Sequence, residues 1–363
     1  MTFNNIYQNK TVLITGHAGF KGSWLSLWLK QLGAKVVGYS LLPDTEKRLY
    51  EVLHIENMIH DSKIADICDS ETLEAFFYKH QPDIVFHLAA QPIVRLSYSE
   101  PVMTYETNVM GTLKVLEAAR KTPSVKAFVN VTTDKCYENQ ERAEGYREDE
   151  PMGGYDMYSS SKGCSEILSS SYRRSFLSNG IPYALGCGRA GNVIGGGDWA
   201  KDRLIPDCIK AFQNHQSVFI RNPHSTRPWQ HVLEPLAGYL RLGEKLLEEG
   251  ATYAEGYNFG PEMNSDIKVC EVAQLVSEVW GSGKVEVGKG DGLHEANLLQ
   301  LNIEKAEKKL GVKPVYTARE AIIKTTEWYK EFFNGNSDIV DYTIHQLEEF
   351  VKTAQVKKLD WSI

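Results

Sequence analysis

Through the first half of the chain, short runs of β-branched and apolar residues alternate with longer stretches in which apolar positions recur three and four apart. The first habit is that of a buried strand, the second that of a helix with one apolar stripe. Strands are predicted at 11–15, 35–39, 62–65, 83–87, 127–131 and 183–187, and helices at 22–32, 71–80, 105–121 and 158–179. In the first helix Leu25, Trp28, Leu29 and Leu32 form the inward stripe. Alternation of this kind winds helices over both faces of a parallel sheet, so the expected fold class is α/β, a Rossmann-type doubly wound sheet.

Beyond Gly188 the texture changes. Gly195-Gly196-Gly197 and then Pro206, Pro223, Pro228 and Pro235 break the chain into shorter pieces. Helices are predicted at 236–249, 269–280, 303–310 and 318–333, short strands at 218–220 and 284–287, and one more amphipathic helix with a tail at the C-terminal end. The expected organisation is a dinucleotide-binding domain over 1–188 and a smaller substrate-binding lobe mainly over 189–363, with the chain able to cross back between them.

Composition narrows the classes. A chain of 363 residues, 42% hydrophobic and 24% charged, can bury a full core and is not a disordered one. Its net charge is −7 and its basic residues are scattered, which argues against nucleic acid and anionic membranes as partners. The opening stretch, with Asn4, Asn5, Gln8 and Asn9, has no apolar signal-peptide core, and no run of ~20 apolar residues follows, so a soluble cytoplasmic protein is expected. The six cysteines stand singly with no Cys-x-x-Cys pair, which predicts buried free thiols and no metal centre.

Thr15-Gly16-His17-Ala18-Gly19-Phe20-Lys21-Gly22 joins the first strand to the first helix. Glycines there let the backbone turn sharply and approach a pyrophosphate, and the helix start offers unpaired N–H groups to its charge. Lys21 is followed by Gly22, so the Gly-Lys-Ser/Thr ending of a nucleoside-triphosphate loop is missing. The second strand ends at Ser40 where an acid would hold a ribose 2′-hydroxyl, with Lys47 and Arg48 further on, which leaves NAD and NADP both open on physical grounds. Asp66-Ile67, after the third strand, can offer a carboxylate and an amide to an adenine edge or simply make a turn.

Two groups of residues carry candidate proton chemistry. Tyr158 and Lys162 are four apart on a predicted helix and share one face, where the ammonium can lower the phenol's pKa and ready it as a general base. Thr133-Asp134-Lys135 follows the fifth predicted strand, at the carboxyl edge where open α/β sheets hold ligands.

On Thr-Gly-x-x-Gly-x-x-Gly at 15–22, His87-Leu88-Ala89-Ala90-Gln91, Asn108, Tyr158 and Lys162, the chain resembles the extended short-chain dehydrogenase/reductase family of nucleotide-sugar enzymes over most of its length. Lys135 stands where the dTDP-glucose dehydratases of that family carry Glu, which is similar to the CDP-glucose 4,6-dehydratases. The segments 189–199, 202–206 and 227–232 are similar to the same group. The resemblance implies NAD as cofactor, CDP-glucose as substrate and an internal redox cycle. Hydride leaves C4, water is lost across C5 and C6, and the hydride returns to C6.

It further implies that Gly16, Gly19, Phe20, Lys21, Gly22, Asp66, Ile67, Leu88, Ala89, Ala90 and Asn108 hold the cofactor together with Tyr158 and Lys162. Tyr158 would take the 4-hydroxyl proton, Thr133 hold the 4-oxygen, and Asp134 protonate the departing C6 hydroxyl. Lys135 would be either the C5 base or an electrostatic stabiliser of the enolate. Gln91, Asn192, Arg203, Leu204, Asn222, Arg227 and His294 are the expected substrate contacts, with Arg203 and Arg227 suited to the pyrophosphate. Ser40 departs from the family's acidic residue, so the cofactor is expected to exchange and added NAD to raise activity. A nucleotide-sugar 4-epimerase would need Tyr158 and Lys162 but not an acid and an amine at positions 5 and 6, and a non-catalytic dinucleotide sensor would need neither pair. Apolar residues on more than one face of the helices predicted at 105–121 and 158–179 suit a homodimer, or a tetramer built from one.

Overall fold

The computed structural model describes residues 2–142, 144–176, 183–220, 222–262, 265, 267–288 and 299–363. Six of its strands are β1 (Thr11–Thr15), β2 (Lys35–Ser40), β3 (Asp61–Ile64), β4 (Ile84–His87), β5 (Ala127–Val131) and β6 (Ala184–Ala190). They form a seven-stranded sheet with a further strand, Gly256–Phe259, in the order 3-2-1-4-5-6 and then Gly256–Phe259. Every pairing in it is parallel. The order reverses between β1 and β4, and a parallel sheet opens a crevice at the carboxyl ends of its strands at such a point.

The sequence dictates this locally. β4 (Ile-Val-Phe-His) and β5 (Ala-Phe-Val-Asn-Val) are buried at every position, as strands covered on both faces must be. Leu13, Val37, Phe76, Val115, Leu116 and Phe128 fill one face of the sheet. Ile14, Trp24, Trp28, Phe86, Val129 and Leu236 fill the other, in a core that continues into residues from the second half of the chain. The helix Leu233–Glu249 lies on that second face; a Cβ at Gly188 of β6 would come within 2.7 Å of the Tyr239 ring.

Several predicted boundaries move for identifiable reasons. The helix expected over 105–121 is a π-helical turn, Glu106–Gly111, followed by an α-helix, Thr112–Arg120. Such a wide turn marks a place where side chains have work other than packing. Pro206 and Pro235 do not break the chain: each sits in the first turn of a helix, Leu204–Gln213 and Leu233–Glu249, where no backbone N–H is needed. The helix expected over 158–179 runs Met157–Phe176, and residues 177–179 fall outside the described ones. Among the described residues no helix is long and apolar enough to cross a membrane.

Candidate active site

The carboxyl ends of the strands open into a cavity of about 1510 Å³. Its wall carries Gly16, Gly19, Phe20, Lys21 and Gly22 from the first loop, Asp66, Ile67, Leu88, Ala89, Ala90 and Gln91 from the next two strand ends, and Thr133, Asp134, Lys135, Tyr158 and Lys162. Asn192, Arg203, Leu204, Asn222 and Arg227, all beyond β6 in the chain, close it. His294 lies outside the described residues.

The glycine loop fits a dinucleotide. Gly16 has φ +80, and a Cβ on it would stand 2.6 Å from the Ala89 nitrogen. A Cβ on Gly22 would stand 2.0 Å from the Gly16 oxygen, so the loop can fold back onto its helix only without one. Gly19 caps the helix Phe20–Gln31 with no side chain over its N-terminus, which leaves N–H groups turned to whatever anion the loop cradles. Gly22→Ala is therefore expected to abolish measurable dinucleotide binding by calorimetric titration, while the unfolding curve keeps its shape. Beneath the loop, His87 bridges Thr15 Oγ1 (2.6 Å) and Thr112 Oγ1 (3.0 Å), kept neutral by burial that lowers its pKa to about 3. Asp66 does make a turn, with Oδ1 accepting the Cys68 N–H at 2.8 Å, and it lines the cavity as well. Ser40 spends its hydroxyl on the Leu41 carbonyl at 2.6 Å. Lys21 is half-buried near Arg203 and Lys162, and burial first, then those two charges, lowers its pKa to about 7.

Asn108, expected among the cofactor contacts, is placed differently from the others. It does not line the cavity; it is buried behind the wall, where Oδ1 accepts the Gln91 N–H (2.8 Å) and Nδ2 donates to the Gln91 carbonyl (3.0 Å) and to Ser161 Oγ (2.9 Å). The π-helical turn aims it at these partners, so it braces Gln91 and the start of the Tyr158 helix. Gln91 reaches the wall, but its Nε2 donates to Thr104 Oγ1 at 2.9 Å and its Oε1 accepts the Ile93 N–H at 2.5 Å.

Tyr158 and Lys162 are both buried on one face of the helix Met157–Phe176. The expected electrostatics differ. Lys162 Nζ donates to the Val131 carbonyl at 3.3 Å, and burial lowers its pKa to about 8. Burial also pushes the Tyr158 phenol up to about 12, and the first group opposing that rise is Thr133, through a hydrogen bond, rather than the lysine. Thr133 Oγ1 donates in turn to Asp134 Oδ1 at 2.9 Å. A Cβ on Gly191 would lie 1.8 Å from Asp134 Oδ2, so the chain just after β6 can pass this carboxylate only as glycine. Phenol, hydroxyl and carboxyl thus form one connected row, with Lys135 next to it on the short 3₁₀ turn Asp134–Cys136.

Behind the row is a buried network that motif reading missed. Glu166 accepts both Arg189 Nε and Nη2 at 3.0 Å and also Thr132 Oγ1 at 2.5 Å. Arg189 Nη1 reaches the Tyr137 hydroxyl at 2.5 Å, which donates to Asn258 Oδ1 at 2.7 Å. Burial alone would raise the Glu166 carboxyl, yet Arg189 and Thr132 hold it below its ordinary range. The signal was present: Tyr158, Lys162 and Glu166 recur at intervals of four along one helix face.

On the far wall Arg203 pairs with Asp198 at 3.4 Å, and Arg227 Nη1 donates to the Thr226 carbonyl at 2.8 Å. Asn192 adopts φ +46, a left-handed turn that Asn tolerates better than most residues.

Residues 13–325 match the family model described as GDP-mannose 4,6 dehydratase. CDP-glucose 4,6-dehydratase of Salmonella typhimurium is 48% identical over 346 residues, covering 94% of this chain and 96% of that one. Human dTDP-D-glucose 4,6-dehydratase is 28% identical, covering 90% and 91%. The crystal structure of dTDP-glucose 4,6-dehydratase from Bacillus anthracis in complex with NAD shares the fold, with a TM-score of 0.75 at 23% identity, covering 92% of this chain and 99% of that one.

Proposed function

Because the chain belongs to the GDP-mannose 4,6 dehydratase family, and carries Thr133-Asp134-Lys135 beside Tyr158 in one cavity, we propose that it is a lyase converting CDP-D-glucose to CDP-4-keto-6-deoxy-D-glucose and water with NAD as cofactor. The observation that carries this reading is the connected row Tyr158–Thr133–Asp134, which sets a base and an acid on one sugar ring. The similarity to the Salmonella CDP-glucose enzyme supports the nucleotide.

The loop Gly16–Gly22 with Asp66, Ile67 and Leu88–Ala90 would hold NAD, which when bound accepts hydrogen from C4 and returns it to C6. Tyr158 takes the proton of the 4-hydroxyl at its phenolic oxygen, and Thr133 Oγ1 holds that 4-oxygen. The resulting ketone acidifies C5–H, and Asp134 protonates the C6 hydroxyl as it departs. Arg203 and Arg227 face the pyrophosphate and fix the sugar over these groups. Lys135 acts at C5, as base or as stabiliser of the enolate. Lys135→Met is expected to lower turnover about a hundredfold. Loss of solvent deuterium incorporation at C5 assigns it the base role, and retention assigns it the stabilising one.

An epimerase would use the phenol but have no task for Asp134 and Lys135. Incubation with NAD and CDP-, dTDP-, GDP- and UDP-glucose tests reaction and nucleotide together. The alkali-induced absorbance of a 4-keto-6-deoxy sugar is expected with CDP-glucose, and interconversion of the 4-hydroxyl configuration instead would overturn the reading. We further take the enzyme to act in the cytoplasm as a homodimer or a homotetramer. Val102, Met110 and Ile167, exposed at 69%, 47% and 54%, mark the apolar helical face that pairing would cover, and sedimentation measures the state directly.

A further inference from the structure

Asp134 is buried, and no donor from the described residues reaches its Oδ2. Gln230 is buried as well, and its Oε1 likewise lacks a donor. The orientation of that amide is fixed by chemistry, because Nε2 donates to two carbonyls, those of Gly191 and Phe259, each at 3.0 Å. Both residues line one small cavity of about 10 Å³, which adjoins the large one at Asp134 and Gly191 and is also lined by Gly260, Gln300 and Leu301. These two acceptors therefore share a polar space with room for one water, and among the described residues no donor reaches either of them.

We propose that a single buried water occupies this cavity and donates one hydrogen to Asp134 Oδ2 and the other to Gln230 Oε1. Gln230 is then a positioning residue for the acid, acting through that water. The proposal rests on the reading of Asp134 as the acid at C6. When its proton passes to the leaving hydroxyl, which departs as water, the electron pair stays on the carboxylate. A hydrogen bond already aimed at Oδ2 stabilises that charge in a place where bulk solvent cannot. The side of Asp134 toward Thr133 is left to face the substrate, since Oδ1 is the oxygen bonded to Thr133 Oγ1.

A crystal structure of the whole protein at a resolution that shows ordered solvent tests the site directly. Density within hydrogen-bond distance of both oxygens is expected, and a dry cavity or a protein donor in that place would overturn the proposal. Gln230→Met fills the space and removes the acceptor. Its kcat is expected to fall about tenfold with cofactor affinity unchanged. The basic limb of the kcat–pH profile should move up by about one unit, because the ionised acid has lost a partner. A merely structural residue would leave that limb in place, and an unmoved limb with an unchanged kcat sinks the idea. Asp134→Asn separates the two levels of inference. Full activity in that variant defeats the acid role itself, whereas an inactive Asp134→Asn with a silent Gln230→Met and a dry cavity defeats the water alone. Should Gln230→Met fail to fold, the crystallographic observation on the unaltered protein decides.

Discussion

Tyr158→Phe is expected to lower kcat by about three orders of magnitude while changing the dissociation constant for CDP-glucose by less than about threefold. The substitution removes one oxygen and keeps the ring, so the helix Met157–Phe176 and the buried Lys162 stay as they are. What disappears is the group proposed to take the 4-hydroxyl proton. Because the surrounding chain pushes the phenol up to about 12, the unassisted side chain is protonated at neutral pH. Thr133 is the group in contact with the phenol and links it to Asp134, and Lys162 is tied to the Val131 carbonyl. Thr133→Val should therefore weaken the same step, whereas a Tyr158→Phe enzyme with more than about a tenth of normal turnover would remove the phenol from the mechanism. Rapid-quench measurement of 4-keto formation in a single turnover is the appropriate reading, since it isolates the step the phenol serves.

Arg189→Met is expected to cost about 3–5 kcal/mol of stability, the range found when one partner of a buried ion pair is removed. Glu166 would be left as an enclosed carboxylate with only Thr132 Oγ1 to bond it, and Tyr137 would lose the guanidinium that contacts its hydroxyl. The double variant Arg189→Met, Glu166→Gln should recover most of that loss, because it leaves no lone charge behind. Urea unfolding followed by tryptophan fluorescence and by circular dichroism compares the three proteins. Equal midpoints for Arg189→Met and the unaltered chain would mean that the pair contributes nothing to holding the sheet's carboxyl edge.

Much of this fold is legible in the chain because β1, β4 and β5 are mostly apolar, as strands that lie under helices on both sides must be. The strand Gly256–Phe259 was not foreseen. Gly-Tyr-Asn-Phe has no run of β-branched residues, and its place beside β6 is set by burial of Tyr257 and Phe259 and by the bonds Asn258 makes to Tyr137 and Tyr146. At the site, the residues near one another in sequence were readable, since loop 15–22 and the Tyr158–Lys162 pair owe their geometry to one turn or one helix. Partners separated by long stretches were not. Glu166 meets Arg189 across two elements, and Gln230 lines one small cavity with Asp134 from far along the chain. Asn108 shows the converse: a residue singled out by motif lies behind the wall, where its amide bonds Gln91 and Ser161.

The Glu166–Arg189 pair joins the helix that carries the phenol to β6, and through Thr132 to the end of β5 that carries the acid. The reach from one end of the hexose to the other is accordingly inherited from the scaffold and does not adjust to the guest. Retargeting such an enzyme to a sugar whose leaving group sits elsewhere on the ring would call for a shift in how strands and helix are pinned together, and swapping side chains along the wall would change what enters without changing where the proton lands.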